Sequence, residues 1–307
     1  MKISVVICTI NPQAGMARCL GSIKRAGHPL EVLVVDQSSH EWDGYAEFYS
    51  KSLGLRVLRP AVHSLSTARN VAIMETVADV CVFIDDDAWI ESNYFRVIEE
   101  LFSSTAIDLV GGRILLPDGG LPYAHTQGVK EQVVSRSCWD LVLGGNLAVR
   151  RTLFSQIGVF DEHLGAGTQW GSAEESDLVL RALYRGHRVC YVPRLIAYHH
   201  TEAKGHSNRT LAAKLRRYGR GSGALHAKHF VNFVNLRILF SYFVSLLKPL
   251  VRIIQFTLVG DWGRIRVHAA IFIGRIEGFA EYMFRMPGIE STPLKPPMAK
   301  SDTPGYC

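Results

Sequence analysis

Residues 80–90, VCVFIDDDAWI, carry five apolar side chains straight into three consecutive aspartates, Asp85, Asp86 and Asp87. An unbroken apolar run of that length reads as a strand covered on both faces, so the carboxylates fall where a buried strand ends. Like charges about 4–5 Å apart repel by roughly 1 kcal/mol in water and by several times that in a shielded cleft. Something must compensate. Three more such runs, ISVVICT (3–9), EVLVVD (31–36) and LRVL (55–58), alternate with helical periodicity over 14–26, 44–53 and 65–77. That alternation predicts an α/β fold, a Rossmann-like, mostly parallel central sheet flanked by helices, in which ligands sit at the carboxyl ends of the strands. Thr9, Asp36 and the three aspartates all lie at such ends. Further on, the pattern predicts a helix near 92–103, a strand near 107–116, a Gly/Pro-rich loop over 117–128, and a strand pair near RVCYVP and IAYHH. From about 207 the chain reads as helical.

With 48% hydrophobic and 20% charged residues among 307, the chain is globular and long enough for more than one unit. The opening MKISVVICTI is too short and too β-branched for a secretory signal, so cytoplasmic residence is expected. Six scattered cysteines without a C-x-x-C pair predict reduced core thiols rather than a zinc site or disulfide framework. Charge is unevenly distributed: residues 1–199 hold 18 Lys+Arg against 22 Asp+Glu, and residues 200–307 hold 16 against 6. The expected organisation is a catalytic domain over 1–206, a helical, basic region over 207–286, and a disordered, proline-rich tail over 287–307.

Asp85 and Asp87 project to one side of an extended chain and Asp86 to the other. Two carboxylates at a strand end suit a hard divalent cation such as Mg²⁺ or Mn²⁺; a solvated acidic turn capping a helix is the plainer alternative. Thr9 and Asn11 place a hydroxyl and an amide at the first strand end. Asp36 places a carboxylate at the second, suited to accept from an imide N–H or a ribose hydroxyl. In SLSTARNVAI, Arg69 and Asn70 open a helix just before the aspartate strand, where an arginine clamps a diphosphate if one is bound. Turn chemistry and a surface arginine explain each feature singly. In GSAEESDLVLRALYRG, Glu174, Glu175 and Asp177 crowd the first turn of an amphipathic helix, where backbone N–H groups favour negative charge. Ser172 and Glu175 also match the S-x-x-E capping box.

Taken in order and spacing over residues 3–200, SVVICTIN, EVLVVDQSS, LSTARNVAI, FIDDDAW, GGNLAVRR and EESDLVLRALYRGHRVCYVP resemble the inverting glycosyltransferases of family 2, with the nucleotide-sugar-binding fold called GT-A. The resemblance implies that Thr9 and Asp36 hold base and ribose, that Arg69 approaches the diphosphate, and that Asp85–Asp87 serve as the D-x-D motif with Asp87 as direct metal ligand. It implies a nucleotide-diphosphate sugar as donor and a glycan or lipid-linked acceptor. An acceptor hydroxyl attacking an anomeric carbon needs a base. The family places Glu-Asp, then Asp-Leu one residue later; aligned on Asp177 and Leu178, Glu175 takes the position of the basic Asp, with Glu174 in reserve. Gly145 and Asn146 of GGN resemble the loop bordering donor sugar and acceptor, or form a tight turn. Trp170 stacks on a sugar or fills a core. His199, or else His200, stands where relatives place a metal- or phosphate-contacting histidine.

In VNFVNLRILFSYFVSLLKPLVRIIQFTLVG (231–260), Lys248 and Arg252 share one helix face and interrupt the apolar run. The pattern favours a helix lying in the interface of an anionic membrane over a buried hairpin or a span, and places the protein peripherally on the inner face of the cell membrane. The competing functions are a sugar nucleotidyltransferase, for which TINPQAG lacks the Gly- and Arg-rich triphosphate loop, and a basic lipid- or nucleic-acid-binding protein. The acidic cleft argues against nucleic acid.

Overall fold

The structure is a computed structural model that describes all residues except 11–13, 28, 30, 40–52, 62, 104–105, 118–120, 201–206, 234–235 and 286–307. Asn11, most of the helix expected over 44–53 and the tail expected over 287–307 therefore lie outside the described residues. The described chain groups into two compact units, residues 1–161 with 175–200, and residues 162–174 with 207–285. The helical unit thus takes in a segment that the sequence had assigned to the catalytic domain.

The first unit is built on strands β1 (Ile3–Thr9), β2 (Glu31–Asp36), β3 (Leu55–Leu58), β4 (Val80–Ile84), β5 (Trp89–Ile90), β6 (Leu109–Leu115), β7 (Gln132–Val133), β8 (Asn146–Arg150) and β9 (Val189–Tyr198). Their order across the sheet is β3-β2-β1-β4-β8-β6-β9-β5, with β7 beside β9. β1 is parallel to β2 and β4, and β8 runs against β4 and β6. Since β6 and β9 are parallel to each other, the carboxyl ends of β1, β2, β4, β6 and β9 share one edge, joined there by the amino end of β8.

Alternation along the strands explains the two apolar layers. Val5, Ile7, Val32, Val34, Val80 and Val82 face α1 (Ala14–Ala26) and α3 (Tyr94–Ser103). Val6, Leu33, Val35, Cys81 and Phe83 face α2 (Leu65–Glu75), α4 (Arg151–Ile157) and α5 (Glu174–Tyr184). With both faces covered, a strand has no polar side to alternate with, which is why these runs read as unbroken apolar. Ser64 caps α2, its hydroxyl accepting from the Thr67 N–H at 3.2 Å. Gly158, at φ +82°, ends α4 in a conformation that L-residues rarely adopt. Cys8, Cys19, Cys81 and Cys138 are free thiols.

The second unit is α6 (Asn208–Phe233), α7 (Leu236–Leu258) and α8 (Trp262–Arg285). Helices α6 and α8 approach closely through glycine. A Cβ on Gly223 or Gly278 would fall on the carbonyl of Arg275 or Arg220 in the opposite helix. Pro249 sits inside α7, where its missing N–H leaves the Ser245 carbonyl without a helical donor. Arg275 of α8 donates to that carbonyl.

Candidate active site

The shared carboxyl edge brings most of the singled-out polar residues together. At the end of β1, the Thr9 hydroxyl donates to Asp86 Oδ2 at 2.5 Å. Burial, with the charges of Asp87 and Asp85, raises the Asp86 carboxyl to about 6 against that hydrogen bond. At the end of β2, Asp36 Oδ1 accepts from the Ser38 N–H and hydroxyl at 3.0 and 2.5 Å. Asp36 Oδ2 is buried without a hydrogen bond, 3.5 Å from Arg59 Nε. Gln37 Oε1 beside it is likewise buried and unbonded, a second acceptor that the motif reading missed.

Strand pairing accounts for the meeting of Asp87 and His199. β5 pairs antiparallel with β9, Trp89 opposite Tyr198, so the residues just before β5 face those just after β9. His199 Nε2 lies 2.9 Å from Asp87 Oδ1 and 3.9 Å from Asp85 Oδ2, and its Nδ1 contacts the His200 carbonyl at 2.6 Å. Burial alone would lower the imidazole; the Asp87 hydrogen bond and the Asp87 and Asp85 charges outweigh it and raise His199 to about 9. Burial likewise opposes ionisation of Asp87, yet His199 holds its carboxyl below the ordinary range. Of the two histidines, His199 joins the aspartates, whereas His200 Nε2 contacts Arg18 at 2.9 Å. Tyr123 stands edge-on to His199 at 5.1 Å.

Arg69 is 3% exposed on α2. Its Nη2 donates to the Gly144 carbonyl at 3.1 Å and lies 3.8 Å from Asp85 Oδ1, with the guanidinium over Phe83 and Phe160. Glycine makes this approach possible: a Cβ at 144 would stand 3.1 Å from Arg69 Nη2, and one at 145 would stand 3.0 Å from Asp85 Cγ. Gly15, the second residue of α1, leaves room for Asp87 in the same way, a Cβ there meeting its Cα at 2.9 Å.

Other candidates bond or pack within the scaffold. Asn70 exchanges two 2.9 Å hydrogen bonds with the backbone of Phe160. Asn146 accepts from the Tyr94 hydroxyl at 2.7 Å and donates at 3.0 Å to the carbonyls of Arg113 and Leu195. Those carbonyls lie where the β6–β9 register shifts between Gly112 and Arg113, so the amide fills a gap in the ladder. Asp177, fully buried, pairs with Arg181 Nε at 2.8 Å, and Arg181 donates to the carbonyls of Ile157, Gly158 and Val159. Trp170, 2% exposed, packs with Leu164, Ala224, Ala227 and Tyr282, which supports the core alternative. Ser172 donates to the Tyr218 carbonyl at 3.0 Å, and Ala173, at φ +77°, precedes α5. Glu175 is partly exposed in the first turn of α5, and Glu174 is 5% exposed.

Among the described residues no three His, Cys, Asp or Glu side chains close into a preformed metal nest. Asp85, Asp87 and His199 instead form an open set touching in pairs. Two hard carboxylate oxygens and one imidazole fit a cation that completes its shell with water and phosphate oxygens.

A mostly parallel sheet with acids, an arginine and a histidine at its carboxyl edge defines a GT-A protein. Residues 4–156 match Glycosyl transferase family 2, and the chain belongs to that family. Glycosyltransferase AglE of Haloferax volcanii is 29% identical over 181 residues, which is 54% of this chain and 58% of that relative; the chain thus spans little more than half its length. Among solved structures, S. aureus TarS 1-349 in complex with UDP-GlcNAc superposes with a TM-score of 0.56 at 18% identity, over 90% of this chain and 91% of that one. The mannosyltransferase PcManGT from Pyrobaculum calidifontis, in complex with GDP-Man and Mn²⁺, gives 0.59 at 14%, over 90% and 86%. At such identities the likeness is one of fold.

Proposed function

We propose that this protein is a metal-dependent inverting glycosyltransferase, moving a hexosyl or deoxyhexosyl group from a nucleotide-diphosphate donor to a hydroxyl of a glycan or lipid-linked acceptor, for surface polysaccharide or glycolipid synthesis at the cytoplasmic face of a membrane. The observation that carries this reading is the meeting of Asp85, Asp87, His199 and Arg69 at one strand edge. Asp85 and Asp87 would hold the cation with His199 as a third donor, while Thr9 keeps Asp86 aside. A divalent cation, when bound, supplies positive charge against the charge growing on the leaving diphosphate. Arg69 adds a permanent charge, fixed by its aromatic bed and the Gly144 carbonyl. The unbonded Asp36 Oδ2 supports that residue as acceptor for an imide N–H or a ribose hydroxyl.

On the attacking side, Glu175 takes the proton of the acceptor hydroxyl as its oxygen bonds to the anomeric carbon. The bond from that carbon to the diphosphate oxygen breaks as its electron pair passes to phosphate. Glu174 is the alternative base, and the pairing of Asp177 with Arg181 makes it a support for the helix. The UDP-GlcNAc held by TarS, and the GDP-Man with Mn²⁺ held by PcManGT, support the donor class.

The test is a thermal-shift screen with UDP-, GDP-, dTDP- and CMP-linked sugars, with and without Mn²⁺. One nucleotide should raise Tm only with metal present, and Asp87→Ala should lower transfer by at least about a thousandfold. If none of the nucleotides raises Tm, the reading fails.

A further inference from the structure

Helices α6 to α8 have all their acids engaged. Between 207 and 285 the sequence holds 13 Lys+Arg and 3 Asp+Glu, and the three acids pair inside the unit: Asp261 with Arg264, Glu277 with Arg216 and Glu281 with Arg220. The remaining charge is positive. On α7, Ile238, Tyr242 and Pro249 turn inward, and Tyr242 stacks on Phe279 of α8 at 4.2 Å. The opposite side carries Phe240, Phe243, Leu247, Val251, Ile254 and Leu258, each half or more exposed. Their spacing of three and four makes one continuous stripe. Isolated exposed apolar residues are ordinary; a stripe along a whole helix marks an interaction surface.

Exposed Arg237, Lys248 and Arg252 run along one flank of that stripe: Lys248 and Arg252 are a turn apart, and Arg237 lies about three turns earlier on the same side. At its end the stripe continues into Val259 and Trp262, 73% and 77% exposed, at the turn into α8. We propose that this face of α7, with the Val259–Trp262 turn, docks flat on an anionic bilayer. The stripe enters the acyl boundary, the basic flank meets lipid phosphates, and the Trp262 indole sits at headgroup level. The inference rests on the membrane placement in the proposed function and names the surface that achieves it.

Length and composition alone would allow a crossing, since α7 has 23 residues, about 34 Å, and contains an 18-residue window with a mean hydropathy of 1.5. Lys248 and Arg252 would then lie near the bilayer centre, where charge is strongly disfavoured. Lying flat keeps them among the headgroups. A second copy of this chain is a poorer occupant, because it would bring the same basic flank against itself.

The experiment is co-sedimentation of the full chain with phosphatidylcholine vesicles, with and without phosphatidylglycerol, at low and high salt. Binding should require phosphatidylglycerol and weaken with salt. Leu247→Glu/Ile254→Glu should lower it about tenfold or more. Lys248→Glu/Arg252→Glu should do the same on anionic vesicles, at about fivefold per cation. All four positions are exposed, so both variants should melt as the parent does, and a thermal melt of each checks this. Absence of wild-type binding, or binding unchanged in both variants, overturns the proposal. So does resistance to alkaline carbonate extraction, which would mean a span, or a dimer that the Glu pair dissociates without any vesicle binding. The nucleotide-induced Tm shift, measured on the same variants, should stay unchanged; its absence in the parent protein would instead count against the transferase reading.

Discussion

Each unit holds an arginine beside glycines, Arg69 buried and Arg275 half-buried, and the two end in opposite situations. Arg69 lies over two phenylalanine rings and reaches the Gly144 carbonyl and Asp85. The glycines at 144 and 145 open room between it and a carboxylate that is 37% exposed. Arg275 donates to the Ser245 carbonyl that Pro249 left without a donor. The glycines around it, 223 and 278 among them, close one backbone onto another. A glycine next to such an arginine therefore marks a ligand site only where the space it opens reaches solvent; elsewhere it is packing.

The largest effect that separates the two cases is expected at the helical seam. Gly278→Ala drives a methyl group into the Arg220 carbonyl, a backbone atom that cannot swing away, and should destabilise by about 3 kcal/mol or more. Denaturant titration measures this, with nucleotide affinity of the remaining folded protein unchanged. A variant as stable as the parent would break the comparison.

Next comes a pH effect that tests whether the helical interior is dry. Burial lowers His226 from 6.5 to about 4, aided by Arg275 and His229 and opposed by the hydrogen bond to the Ser222 carbonyl. Folding thus favours the neutral ring. As pH falls from 6.5 to 4 the unfolded chain takes up a proton that the folded one refuses, and stability drops by about 3 kcal/mol. Above 6.5 this histidine contributes no slope. Unfolding curves across that window should show the drop in the parent and a flattened profile in His226→Gln.

At the sheet edge the same type of substitution should spare stability and cost function. A methyl at 145 displaces the carboxylate of Asp85, the far end of a side chain that is 37% exposed, so Gly145→Ala should change stability by about 1 kcal/mol or less. The carboxylate would leave its place beside Arg69 and His199, and kcat/KM should fall about thirtyfold, or 2 kcal/mol. Equal losses of stability in Gly145→Ala and Gly278→Ala would erase the distinction drawn between the two arginines.

What the sequence shows well is whatever repeats locally. The apolar runs at 3–9, 31–36 and 80–84 give parallel strands because both faces are covered, and with them the positions of Thr9, Asp36 and the aspartates at one edge. The nearness of His199 to Asp87 was available in principle from the pairing of AWI with IAY, but two-residue strands leave almost no periodic signal. Least visible are the long-range demands of the backbone. The register shift between β6 and β9 creates the carbonyls that Asn146 serves, and the missing donor at Pro249 engages Arg275. Neither follows from any window of sequence. A motif marks where a polar side chain sits and is silent on which distant carbonyl needs it.

Asn70 is the sharpest instance, and it carries the smallest expected effect. Adjacent to Arg69 on the helix that precedes the aspartate strand, it reads as a ligand. Yet its amide meets both the N–H and the carbonyl of Phe160, 90 residues further along the chain. Phe160 in turn forms part of the bed under the Arg69 guanidinium. Asn70→Ala should cost about 1 to 2 kcal/mol of stability, because two backbone groups lose their partner, while nucleotide affinity shifts by no more than about twofold. Asn70→Asp keeps the acceptor for the Phe160 N–H and loses the donor to its carbonyl, so it should fall between the parent and the alanine variant in Tm. A tenfold loss of nucleotide affinity in Asn70→Ala, with stability intact, would return this residue to the binding site and leave Arg69 without its brace.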